Sequence, residues 1–168
     1  MSGPEPGRGP GTVRGRATGQ RNGAGGEDAM NPTVTTRESA VAFEVVVSLP
    51  FDETVARVRE LLAAEGFGVI TEIDVAATFK KKLDVQVAPY LILGACNPAN
   101  ARKALAAAPE SGVLLPCNVT VSVEGERTVV RAMNPESVMA VVGKPALAPV
   151  GAEVGAALRR VVAAIASA

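Results

Sequence analysis

The chain has 168 residues, 48% of them hydrophobic and 3% aromatic, and its Lys plus Arg equal its Asp plus Glu. That length suits one domain; the balanced charge offers no basic surface to nucleic acid or an anionic membrane, and the few rings offer no stacking platform for bases or sugars. The absence of His excludes Ser–His–Asp and Cys–His catalysis and every His-ligated metal site.

Residues 1–38 are rich in Gly, Pro, Arg, Ser and Thr and almost free of large apolar side chains. Such a segment cannot bury enough surface to offset the entropy of ordering it, so a disordered tail is expected. Gly7, Gly9, Gly11 and Gly15 follow no strand and are not a phosphate loop. Met30, near the end of this stretch, offers an internal start. No apolar run follows the N-terminal Arg residues as in a signal peptide. The apolar C-terminal end, residues 146–168, is interrupted by Glu153, Arg159 and Arg160 and is ill suited to span a bilayer. Two Cys do not make a secreted disulfide framework. A cytoplasmic protein with reduced thiols is expected.

A single domain is expected over residues 39–168. Phe43 to Leu49 is dense in Val and predicts a strand. Asp52 is positioned to cap a helix carrying Val55, Val58, Leu61 and Leu62 at helical spacing, with Gly66 as its stop. The next strand places Phe67, Val69, Thr71 and Ile73 on one face and Glu72 and Asp74 on the other. Asp74 caps a short helix with Ala76, Phe79 and Leu83 turned inward and Lys80, Lys81 and Lys82 largely outward. Tyr90 to Cys96, apolar on both faces, predicts a central strand. Asn97-Pro98 pairs a preferred cap with a preferred first helical residue and opens a helix that ends before Pro109. Val113 to Val123 and Thr128 to Met133 predict a hairpin turning at Glu124-Gly125-Glu126. Asn134-Pro135 begins a short helix. Val150, Val154, Leu158, Val161 and Ile165 form the stripe of a final one.

The order of elements predicts an α+β fold: one mixed sheet of about five strands, packed with helices as a two-layer sandwich.

The segment YLILGACNP, the alanine-rich helix after it and GVLLPCNVTVSV, together with GFGVITEIDVAATFKKKLD upstream and NPESVM downstream, resemble the bacterial domain of unknown function 302 family over about Phe43 to Ile165. The resemblance implies a compact α+β fold of the type seen in a Thermus structural-genomics protein, a homodimer, and no assigned activity.

The residues best placed for chemistry are the two Cys-Asn dipeptides, Cys96-Asn97 and Cys117-Asn118. If their strands are antiparallel neighbours, two thiols and two amides converge. Thiolate is the nucleophile and the soft metal ligand, and a helix N-terminus such as the one after Cys96 favours it. The plainer reading makes both Cys small buried hydrophobes and Asn97 only a cap. Glu72 with Asp74 could form a carboxylate pair, and Lys82 among its neighbours an anion site or base, although Asp74 serves more simply as a cap and the lysines as a solvated face.

The leading expectation is a non-catalytic homodimeric binding module for a small ligand or soft metal at Cys96, Asn97, Cys117 and Asn118, with Glu72 and Lys82 as further candidates. Cys96 and Cys117 are the ligands of any metal, and no cofactor is indicated. The alternatives are a thiol-dependent enzyme using Cys96 or Cys117, assisted by Lys82 or Glu72, and a structural or assembly protein without a pocket. The apolar stripe of the last helix is expected to pair with a second copy.

Overall fold

The structure, a computed structural model, describes residues 34–167; most of the expected tail, with its glycines and Met30, lies outside the described residues. The last part of that stretch is a strand. β1 (Thr35–Glu38) pairs antiparallel with β2 (Ala42–Val47). Its sequence, TTRE, has no apolar alternation to betray it. The backbone ladder holds it, together with Arg159, which donates to both Glu38 carboxylate oxygens.

α1 (Phe51–Ala64) follows, then β3 (Gly68–Asp74), α2 (Val75–Leu83), β4 (Tyr90–Cys96) and α3 (Pro98–Ala107). A 3-10 turn over Pro109–Leu114 leads into the hairpin of β5 (Cys117–Glu124) and β6 (Arg127–Met133). The chain ends with α4 (Pro135–Ala140), a second 3-10 turn and α5 (Ala148–Ala166).

The strands form one six-stranded sheet in the order β1-β2-β6-β5-β4-β3, and every neighbouring pair is antiparallel. The expected mixed sheet of about five strands is therefore corrected on both counts. A helix between two strands does not dictate a parallel pair. Here α3 and the turn after it bring the chain back to the end of the sheet that β4 has just reached, so β5 runs down beside it.

Several local expectations hold. The Asp74 carboxylate accepts the Ala77 N–H at 2.8 Å, and Asn97 Oδ1 accepts the Asn100 N–H at 3.1 Å, with Pro98 in the first turn. Gly125, at a φ of 64°, turns the hairpin, a conformation open to glycine at little cost. Others are corrected. Pro50, not Asp52, occupies the cap position of α1; Asp52 lies inside its first turn, where a carboxylate suits the helix dipole. The register of β3 slips between Val69 and Thr71, so Val69 partners Ala95 while Thr71 partners Gly94 and Ile73 partners Ile92. This bulge splits the face expected to hold all four apolar or small residues. No residue of α2 is buried, and Phe79 and Leu83 remain largely exposed. Val113, expected in a strand, lies in the 3-10 turn and is 88% exposed.

One sheet face carries Val45, Val130, Val121, Leu93 and Ala95 and is buried under α1 and α5. Val154, Leu158, Val161 and Ile165, the stripe of α5, are buried there. That stripe is consumed by the chain's own core and offers no surface to a second copy. The other face shows a row across all six strands: Arg37, Glu44, Arg131, Thr120, Ile92 and Ile73, each opposite the next. The row passes from ionic to apolar. Arg131 Nε donates to Glu44 at 2.7 Å and its Nη1 to Glu124 at 2.6 Å, while Ile73 is 50% exposed.

A buried dithiol cavity at the start of α3

Cys117 opens β5 directly opposite Ala95 of β4, and Cys96 is the next residue along. In such a pair facing Cα atoms stand about 5 Å apart and each step along a strand adds about 3.4 Å. The two Cys Cα atoms are thus about 6 Å apart. Cys117 faces the core and is buried; Cys96, where β4 turns into α3, is half-buried, and both are free thiols. Both border one cavity of about 10 Å³, walled also by Phe67, Asn97, Asn100, Met139 and Val154. A space of that size holds roughly one water-sized occupant.

The thiols differ in setting. Burial pushes the Cys117 thiol up to about 11 from an ordinary 9.0, and the nearby Cys96 adds to the shift. Low-dielectric surroundings penalise the charged thiolate, and a second sulfur that can carry negative charge penalises it further.

Asn97 and Asn100 bring polar atoms to this apolar corner. Asn97 spends its side-chain oxygen on capping α3. Asn100 is 7% exposed. Its side chain and Lys103 both hydrogen-bond Glu153 of α5 and hold that carboxyl below its usual range, Lys103 most strongly. The Asn100 Oδ1 has no hydrogen-bond partner. A buried acceptor left unpaired carries a desolvation cost of about 1–3 kcal/mol, so its place beside two thiols calls for a reason.

Of the six residues singled out from the sequence, Cys96, Asn97 and Cys117 meet at the cavity, and the other three do not. Asn118 follows Cys117 in the strand, so it points to the opposite face, where it is exposed opposite Gly94. Glu72 lies opposite Leu93 on the edge strand and is ion-paired with Arg59 of α1. Lys82 sits in the exposed last turn of α2. The expected convergence of two amides therefore involves Asn97 and Asn100, not Asn97 and Asn118. Two further residues line the cavity: Asn100, which the sequence reading does not single out, and Met139, which it reads as packing. Asn100 stands four residues before Ala104, on the buried side of α3, and a polar residue in phase with an apolar stripe is a signal that could have found it. Met139, on α4, carries no such mark.

Among the described residues no cluster of three or more His, Cys, Asp or Glu could hold a metal ion, and no helix is long and apolar enough to cross a membrane.

A family model described as "Domain of unknown function DUF302" matches residues 43–165. Among solved structures, the chain is similar to the crystal structure of an uncharacterized conserved protein DUF302 from Bacillus stearothermophilus. The two are 29% identical with a TM-score of 0.66, over 75% of this chain and 95% of that one. No curated protein matches.

Proposed function

The chain belongs to the DUF302 family, and we propose that it is a non-catalytic, homodimeric binding module whose dithiol cavity holds a single soft metal atom. The observation that carries this reading is that Cys96 and Cys117, a helix apart in sequence, border one small cavity. Its size of about 10 Å³ suits one atom and leaves no room for an organic ligand without rearrangement. The positions of Glu72 and Lys82, away from the thiols, leave a thiol enzyme without the assisting base or acid it needs. Self-association is assigned to α2 and the residues flanking it in the chain, where Ile73, Leu83, Val85 and Val87 are exposed; exposed apolar side chains suit burial against a second copy.

Native mass spectrometry of protein purified under reducing conditions tests the binding role. One metal atom per chain, lost in Cys117→Ala, is the expected result. A metal-free mass after incubation with silver(I) or copper(I) would overturn it.

A further inference from the structure

Resting on that reading, we infer that Met139 is the third metal-binding residue, and that the Cys96, Cys117 and Met139 sulfurs form a site for a monovalent soft cation of the copper(I) type. Met139 comes from α4, far from both thiols in sequence. It is 2% exposed and lines the same cavity. The cavity is therefore lined by two cysteines and one methionine, and by no carboxylate residue. Thiolate and thioether sulfur together select soft cations. A structural zinc site takes four donors from Cys, His or carboxylates in a tetrahedron, and only two such residues line this cavity.

Two further features suit a monovalent ion. The first is charge. Two thiolates around a monovalent cation leave a net negative charge in an apolar corner, and the N-terminus of α3, which starts immediately after Asn97, presents the positive end of its dipole there. The second is Asn100, which lines the cavity and whose Oδ1 is buried without a partner. It supplies a neutral acceptor that can face a bound cation, adding no charge of its own.

The experiment is a titration of the reduced full-length chain with copper(I), in competition with a chromophoric copper(I) chelator, and in parallel with zinc(II). The chains compared are wild type, Met139→Leu and Cys117→Ala. Leucine keeps the volume of Met139 while removing its sulfur, and thermal unfolding confirms that the variant folds. The expected result is one copper(I) per wild-type chain, an affinity lower by at least about tenfold in Met139→Leu, the scale on which the groups around a metal tune its binding, and zinc bound far more weakly. Copper(I) binding unchanged in Met139→Leu, or zinc bound as tightly as copper(I), would overturn the inference while leaving the dithiol reading in place. No binding of either metal would overturn both.

Discussion

Cys96 and Cys117 belong to adjacent antiparallel strands, with Cys117 facing Ala95, the residue just before Cys96. This places both cysteines at one end of the sheet, where β4 leads into α3 and β5 begins. Had β4 and β5 run parallel, the end of one and the start of the other would lie a strand length apart and no shared cavity could form.

The Cys117 thiol gives the protein a measurable alkaline weakness. Its folded value of about 11 lies above the ordinary 9.0, so the folded chain holds this proton more tightly than the unfolded chain. The associated stability is complete below about pH 9 and is lost as the pH rises toward 11. At about 1.4 kcal/mol per unit, the loss approaches 3 kcal/mol. Urea unfolding of wild type and Cys117→Ala between pH 8 and 11 isolates it: the wild type should lose that much more stability than the variant. Parallel curves would refute it.

Asn97→Ala should destabilise the domain by about 1 kcal/mol, the usual worth of a side-chain cap, because Asn97 Oδ1 accepts the Asn100 N–H. Equilibrium urea unfolding checks the number. A loss several times larger would show that Asn97 does more than cap α3.

Gly94 of β4 is required because the Thr71 and Pro116 side chains close on it. A Cβ there would overlap Thr71 Oγ1 and stand 2.7 Å from Pro116 Cγ. Gly94→Ala is therefore expected to cost about 1–3 kcal/mol, as overpacking of a filled site does. A midpoint in urea equal to that of the wild type would contradict the crowding.

Arg159 fastens β1 to the rest of the sheet. It donates to Glu38 at 2.7 Å and to Glu136 at 2.6 Å, and its guanidinium lies 4.5 Å from the centre of the Phe43 ring. In Arg159→Ala the amides of Thr35–Glu38 should lose hydrogen-exchange protection while the global unfolding midpoint barely moves, because exposed ion pairs contribute little to overall stability. Unchanged protection would show that the backbone ladder alone holds the strand.

Leu83, 64% exposed on α2, tests the proposed self-association. Sedimentation equilibrium should find the wild type dimeric at micromolar concentration and Leu83→Glu monomeric, since a buried, unpaired carboxylate would oppose the contact. A wild-type monomer at high micromolar concentration would remove the homodimer from the proposed function.

What the sequence determined by itself is local. Asn97-Pro98 announces α3 because a side-chain oxygen and a ring with no N–H satisfy the first turn without help from elsewhere. Asp74 does the same for α2, Gly125 marks the hairpin, and the spacing of Val154, Leu158, Val161 and Ile165 declares which side of α5 is buried. The tertiary structure decided everything that depends on register and on partners distant in the chain. β1 escapes detection because an edge strand held by backbone bonds and one arginine needs no apolar pattern. The bulge at Val69 and Thr71 changes faces in a way that simple alternation cannot express. Asn118 turns away from Cys117 because neighbours in a strand point to opposite faces. Met139 lines the same cavity as the two cysteines because α4 packs on α5 and on the 3-10 turn before β5, contacts between separate elements that no window along the chain contains.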